Sequence, residues 1–346
     1  MTFLYLWWGS VGLAALSLAV MTGLIGRRYM LAHAARRHAA RVTALKPLLF
    51  RLLDTPERIG DELARLPPDD RVIMADLVKQ LMYGLRGDTR DHLVRVIKSA
   101  GTLADDLTIL VAGTAPERIK AAGDMVLYGD RSVAPALRAA LDDTSPDVRL
   151  AAANALAEIG AAPSIPDVVA KIWRRGITQP RVMRDLFRRL APNNIPALLD
   201  LIGDPDSRLA AFAVDAIGVG RDLSVVPTLI ERAARHPNTD VRAECQRALA
   251  NLAHPAALSA VQQGLSDPTW EVRAQAASAA GRIGLKTLVP DLVRLLEDEQ
   301  WWPCFRAAEA LFKLGDEGQA PLYRKATDET GRIGRIVELV IMEKTG

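Results

Sequence analysis

Aromatic residues are scarce in this 346-residue chain, at 5%, and cysteine is scarcer, with only Cys245 and Cys304. The two cysteines form no CxxC pair and have no metal-ligand spacing, so they read as reduced structural thiols, in keeping with a reducing compartment. Five histidines, His33, His38, His92, His236 and His254, fall in no triad or metal pattern, and GxSxG, P-loop, HExxH and GxGxxG motifs are all missing. No catalytic, cofactor-binding or metal-ligating residue is therefore expected, and the chain does not read as an enzyme. The acid pairs Asp69-Asp70, Asp105-Asp106 and Asp142-Asp143 sit at turns or helix starts, where capping and the helix dipole account for them.

Charge is missing from one stretch and acid from the next. The stretch that opens at Phe3 and closes at Ile25, residues 3–25, is uncharged and mostly apolar. As a helix rising about 1.5 Å per residue it measures roughly 35 Å, enough to cross a hydrocarbon core of about 30 Å. From Arg27 to Arg51 follow seven basic residues (Arg27, Arg28, Arg36, Arg37, Arg41, Lys46, Arg51) and no acid. Of the 44 lysines and arginines, the other 37 are outnumbered by the 41 acids, so the net +3 belongs to this short segment. A cleaved signal peptide needs a positive n-region and a small-residue cleavage site, and neither is present. The expectation is a single-pass anchor in a cell inner membrane, N-terminus outside and the remainder cytoplasmic, because the positive charge follows the span. Tyr5, Trp7 and Trp8 would mark the outer interface. Ala15, Ala19 and Gly23 form a small-residue stripe that suits either a second helix or plain lipid packing.

Beyond residue 87 one pattern recurs at steps of about thirty residues, the length of a helical hairpin. Its clearest copies are VRLAAANALAEIG from Val148 and VRAQAASAAGRIG from Val272. A closing small residue recurs at Gly101, Gly129, Gly160, Gly220, Ala253, Gly284 and Gly315, and a proline column runs through Pro135, Pro166, Pro196, Pro227, Pro290 and Pro321. Each proline suits the first turn of a first helix, helix A, where its missing N–H costs nothing. An arginine column, Arg90, Arg118, Arg149, Arg181, Arg208, Arg242 and Arg273, gives way to Cys304 in the next copy, and Arg332 is a last, weak member. The copy spanning 181–192 loses both Val-Arg and the closing glycine.

The order apolar-Pro-helix, Asp-Pro turn, Val-Arg-helix, Gly resembles the HEAT and HEAT-like repeats, including the PBS-lyase type. That resemblance implies an all-α fold, an α-α superhelix of about eight to nine hairpins, here preceded by one transmembrane helix. Together with the charge pattern of the first fifty residues, the expected division is an anchor (1–26), a basic juxtamembrane helix (27–53), an N-terminal cap hairpin (54–87) and a repeat domain (88–346). With turn acids such as Asp142, Asp147, Asp204, Asp267 and Glu271, the arginine column (Arg90, Arg118, Arg149, Arg208, Arg242, Arg273) resembles the inter-repeat Asp/Arg ladder of that family, a structural device. The resemblance further implies that the second helix, helix B, lines the inner face and binds partners.

Three groups of residues are candidates for contact. The degenerate copy carries Lys171, Arg174, Arg175, Arg181, Arg184, Arg188 and Arg189 against the single acid Asp185, with Trp173 and Phe187 interleaved. This cluster reads either as a solvated face of an atypical hairpin or as a contact for an acidic partner, anionic lipid or nucleic acid. Trp270 and Trp301 share a turn column in adjacent repeats, with Trp302 beside the second, and read as turn packing or as an aromatic hot spot. Helix-B polar positions such as Glu244, Arg247 and Arg282 alternate in sign, which suits a protein, whereas a nucleic-acid groove calls for a continuous basic stripe. The leading expectation is a membrane-anchored scaffold or adaptor for a protein partner, itself membrane-associated. The alternatives are an accessory or lyase-like enzyme of the HEAT-like class, and a nucleic-acid binder acting through residues 171–189.

Overall fold

Leu45, Leu49 and Leu52 follow one another at helical spacing, and in the computed structural model all three are buried on one face of a helix. The structure describes residues 2–55, 58–82, 88–129, 131–176, 178–328 and 331–345; within them the side chains of residues 2–16, 19, 88–91, 326–328 and 345 lie outside the description. Among the described residues every regular element is helical. The chain divides into two compact units, Met1–Val133 and Ala134–Gly346, and the division falls inside the expected repeat array.

The first unit starts with α1 (Thr2–Asp54), whose 53 residues run unbroken through Pro47. Its described side chains from Ser17 to Arg41 are exposed, and Leu18, Val20, Met21, Leu24 and Ile25 are each more than half exposed. Burial begins only at Leu45, where α1 meets α3 (Pro68–Met82) and α4 (Asp88–Ala100), with α2 (Ile59–Ala64) closing the cluster. Among the described residues no helix is long and apolar enough to cross a membrane. Much of the expected span, including Tyr5, Trp7, Trp8, Ala15 and Ala19, lies outside the side-chain description.

In the same unit, α5 (Leu103–Ala112) and α6 (Ala115–Met125) enclose a polar network. Lys79 Nζ lies 2.8 Å from Asp106 Oδ2 and 3.1 Å from Asp124 Oδ2. The Tyr128 hydroxyl donates to Asp106 Oδ2 at 2.6 Å and meets Thr102 Oγ1 at 2.9 Å. Burial pulls the Lys79 ammonium down, but its bonds to Asp106 and the charges of Asp106 and Asp124 more than reverse this and hold it above its ordinary value. Asp106, expected only as a first-turn acid, is thus the hub of an interior network, because Lys79 comes from an apolar helix face and must be neutralised there.

The second unit is a double layer. An inner row of B helices runs α8 (Pro146–Glu158), α10 (Pro180–Leu190), α12 (Ser207–Val219), α14 (Thr239–Leu252), α16 (Trp270–Ile283) and α18 (Trp301–Lys313), each packed on the next. The A helices are α7 (Ala134–Ala140), α9 (Ile165–Val168), α11 (Ile195–Leu201), α13 (Val226–Arg235), α15 (Leu258–Gly264), α17 (Val289–Leu295) and α19 (Asp316–Asp328). The last helix, α20 (Arg332–Thr345), covers α18 and α19 with Ile336, Val337 and Val340 buried. Small side chains set the spacing: a Cβ on Gly281 of α16 would lie 2.7 Å from the Ala310 Cα of α18.

Five closing glycines, Gly101, Gly129, Gly160, Gly284 and Gly315, take left-handed backbone, and Ala253 does so with φ of 51°. Gly220 differs, with φ of −64° and ψ of 173°. Five prolines of the column stand in the first turns of A helices, but Pro321 lies inside α19. There the helix begins at Asp316, directly after Gly315, so the proline falls in its second turn.

Arginine fixes the register between repeats. Arg149, 2% exposed, sends Nη1 to the Asp143 and Thr144 carbonyls and Nη2 to those of Arg175 and Gly176. Arg242 Nη1 reaches the His236 and Pro237 carbonyls, while its Nε and Nη2 grip Asp267 of the next repeat at 2.9 and 3.0 Å. Arg273 does the same to Asp267, Pro268 and Asp298. Each of these two acids also accepts the N–H two residues on, so one carboxylate shapes its own turn and locks the preceding repeat. Arg118 bonds the Gly113 carbonyl, and the Arg90 side chain lies outside the described residues.

Candidate functional site

Asp215 stands alone among apolar neighbours in AAFAVDAIGV and is 3% exposed. A buried carboxylate needs cations, and three arginines supply them. Arg188 of α10 donates through Nε and Nη2 at 2.7 and 2.8 Å, and Arg247 of α14 through Nη2 at 2.8 Å. Arg184 Nε stands 3.9 Å off. One acid on α12 thereby joins three consecutive B helices. The bond to Asp215 raises Arg188 above even the usual guanidinium value. Arg247 also holds Glu244, whose carboxyl burial pushes up further than the arginine pulls it down.

Above this clamp the B helices from α10 to α18 enclose a groove of about 950 Å³. Arg181, Arg184 and Arg188 line one end with Arg208 and Phe212. Trp270, Trp302 and Arg306 line the other. Between them lie Asp240, Glu244, Glu271 and Gln275, over the small residues Ala211, Ala243 and Ala274. Phe212 is the hinge of the basic end: Arg184 stacks on it at 5.0 Å, and Trp173 meets it edge-on at 5.2 Å. Among the described residues Arg181 has no hydrogen bond or ion pair, and Arg208 has no ion pair, lying instead 5.8 Å over the Trp173 ring. At the far end Trp302 is 46% exposed, with Arg306 5.5 Å over its ring.

The basic cluster of the degenerate copy therefore splits. Lys171 and Arg175 pair with Asp142, Arg174 with Asp204, and Arg189 with Glu158, so these four knit neighbouring repeats together. Only Arg181, Arg184 and Arg188 face the groove. Trp173, on a five-residue π turn that continues α9, is buried and donates its indole N–H to Asp206 at 2.6 Å. Burial raises Asp206, but this bond and the Leu209 and Arg208 N–H groups outweigh it and leave the carboxyl below its ordinary range.

The tryptophan column is also rearranged. Trp302 rather than Trp301 joins Trp270 in the groove, while Trp301 stacks on Phe305 with ring centroids 4.8 Å apart. Arg282 bonds Asn251 and is not in the groove lining. Arg208, expected in the structural ladder, lines the groove instead, and of the turn acids only Asp267 meets a ladder arginine as expected. Asp147 is held by Thr178 and Gln179, and one Glu271 oxygen is buried without a donor. Asp215 and Phe212 were not among the sequence candidates. A lone acid within an apolar B helix was the available signal.

The family model for HEAT repeats matches residues 107–177, 195–269 and 259–338, more than half of the chain. No curated protein matches the sequence. Among solved structures, an engineered protein is 18% identical with a TM-score of 0.37, over 89% of this chain and 99% of its own. Human deoxyhypusine hydroxylase in complex with glycerol is 19% identical, with a TM-score of 0.31, over 84% and 96%. Kap121p is 13% identical with a TM-score of 0.44, over 83% of this chain but only 39% of its own. At these values the likenesses carry nothing about activity or ligand. The repeat spacing, the arginine ladder and the family model agree: the chain belongs to the HEAT-repeat family.

Proposed function

We propose that this protein is a membrane-tethered scaffold whose second unit holds a protein partner in the groove between Arg181 and Trp302. The observation that carries the reading is the Arg188–Asp215–Arg247 clamp beneath that groove. It fixes three B helices under a surface of mixed sign, in which Asp240, Glu244 and Glu271 interrupt the arginines. Mixed charge with aromatic anchors suits a protein surface better than a phosphate backbone.

The tether is the uncharged stretch of residues 3–25, followed by the basic run that sets a cytoplasmic orientation for the repeats. The exposure of Leu18, Val20, Met21, Leu24 and Ile25, each more than half exposed, supports it, since an apolar helix flank without protein cover calls for lipid or another helix. Protease added to sealed spheroplasts should spare the repeats, and carbonate washing should leave the chain in the membrane. Digestion, or release by carbonate, would refute the tether. The grip is tested by affinity purification from detergent-solubilised membranes, comparing the unaltered chain with a groove-filling Ala243→Arg/Gln275→Arg variant. The reading expects the variant to lose partners that the unaltered chain retains; an identical set would refute it.

A further inference from the structure

The groove has a polarity that the scaffold reading does not use. At its α10–α12 end the cations exceed the one lining acid, Asp185, which pairs with Arg188: Arg181 has no hydrogen bond or ion pair among the described residues, Arg208 lies over Trp173 and attracts Asp206 without an ion-pair contact, and Arg184 stands 3.9 Å from an Asp215 already taken by Arg188 and Arg247. At its α16–α18 end the lining is aromatic, with Trp270 and the exposed Trp302. The floor between them is alanine, bordered by acids. Resting on the scaffold reading, we infer that the groove takes an extended peptide segment of a partner protein, with acidic side chains at the Arg181/Arg208 end and an aromatic side chain at the Trp270/Trp302 end.

Length follows from the helix spacing. From Arg208 on α12 to Arg306 on α18 the path crosses α14 and α16, three steps of about 8–10 Å between packed helices. A strand advancing about 3.3 Å per residue covers that distance in seven to nine residues. Carboxylates at the basic end complete guanidinium forks that now face solvent, and Arg is the side chain suited to paired recognition of a carboxylate. A flat ring at the other end adds an aromatic pair to Trp302 and to the Arg306 stacked over it. Asp240, Glu244 and Glu271 in the middle exclude nucleic acid, whose phosphates would face carboxylates there, and instead offer acceptors to peptide N–H groups. A basic peptide meets the wrong sign at the end where Arg181 and Arg208 lie.

The test is selection of a random nonapeptide display library on the full chain in detergent micelles, followed by anisotropy measurements with the selected peptide synthesised and labelled. The inference expects one or two Glu or Asp residues separated by about five to seven positions from Trp, Phe or Tyr. It expects binding to weaken about tenfold or more in Arg181→Glu/Arg208→Glu and, separately, in Trp302→Ala, and to weaken with salt. Unchanged circular dichroism in both variants, whose altered side chains are all exposed, keeps a folding defect from counting. A lysine- or arginine-rich selection, binding indifferent to both variants, or tighter binding of a labelled oligodeoxythymidylate would overturn it. The two readings fail separately. If the Ala243→Arg/Gln275→Arg variant loses partners in affinity purification but the selected peptides are basic, the scaffold stands and this inference falls; if that variant loses no partner, both fall.

Discussion

Arg332 of α20 reaches back 28 residues to Cys304 of α18 and supplies the guanidinium that the arginine column lacks there. Column arginines bond the carbonyls six and five residues before them, as Arg273 does with Asp267 and Pro268. For Cys304 those carbonyls belong to Asp298 and Glu299, and Arg332 bonds both, with Nη1 2.6 Å from the Glu299 oxygen. The final helix is thus tied on through the two turn carbonyls that a column arginine bonds in the other repeats. Arg332→Ala should cost about 1–2 kcal/mol, toward the low side of the roughly 1.5–3 kcal/mol of a charge-assisted hydrogen bond because Arg332 is exposed. In a Cys304→Arg background, where the column is restored, the same change should cost clearly less. A double-mutant cycle by chemical denaturation gives the difference, and additive effects would contradict the relationship.

The ladder acids predict an acid limb. Burial raises Asp298, but bonds from Arg273 and the Gln300 N–H outweigh it and leave its carboxyl below the ordinary range. In Asp267, burial is likewise outweighed by Arg242 and the Thr269 N–H. A carboxyl lower in the folded than the unfolded state adds stability that is complete above the unfolded pKa, about 3.9, and is lost as pH falls through the folded value. The melting temperature should therefore be flat from about pH 6 to 5 and fall below about pH 4. Asp267→Asn/Asp298→Asn should melt lower at neutral pH and show a shallower acid limb.

Ala253 offers a stabilising change. It holds φ of 51° at a position that a left-handed glycine fills in five other repeats, and a left-handed alanine costs about 1–2 kcal/mol. Ala253→Gly should raise stability by about 0.5–1 kcal/mol, after the greater entropy of unfolded glycine is subtracted. Gly284→Ala should do the reverse. Thermal unfolding of the pair gives both signs.

In the first unit, Lys79→Met should be costly. Removing the ammonium leaves Asp106 and Asp124 buried with, among the described residues, the Tyr128 hydroxyl on Asp106 and Lys120 at 3.7 Å from Asp124, and breaking such a pair typically costs about 3–5 kcal/mol. A triple variant that adds Asp106→Asn and Asp124→Asn should recover part of the loss. If the single variant melts like the unaltered chain, the network is not holding α3 to α5 and α6.

Periodicity made the repeat architecture legible, because Val148, Ala152 and Leu156 recur at helical spacing and a column of small closing residues marks most hairpin ends. The candidate site was legible only in pieces. Lys171, Arg174, Arg175 and Arg189 share sequence proximity with Arg181, Arg184 and Arg188, yet Asp142, Asp204 and Glu158 claim the first group from neighbouring repeats. Such pairings depend on which turn acid stacks beside which helix, a relation of about thirty residues' separation that local charge counting does not contain. Trp302 displaces Trp301 from the groove because the one-residue step rotates its side chain by about 100° around α18.

The most direct measurement places a photocrosslinking amino acid at Gln275 in the groove and, separately, at the exposed Ser259 on the outer helix α15, in the full chain in its native membrane. Irradiation should give a discrete protein adduct from position 275 and none from 259. An adduct from 259 alone, or none from 275, would contradict the claim that the B-helix groove is the surface this protein works with.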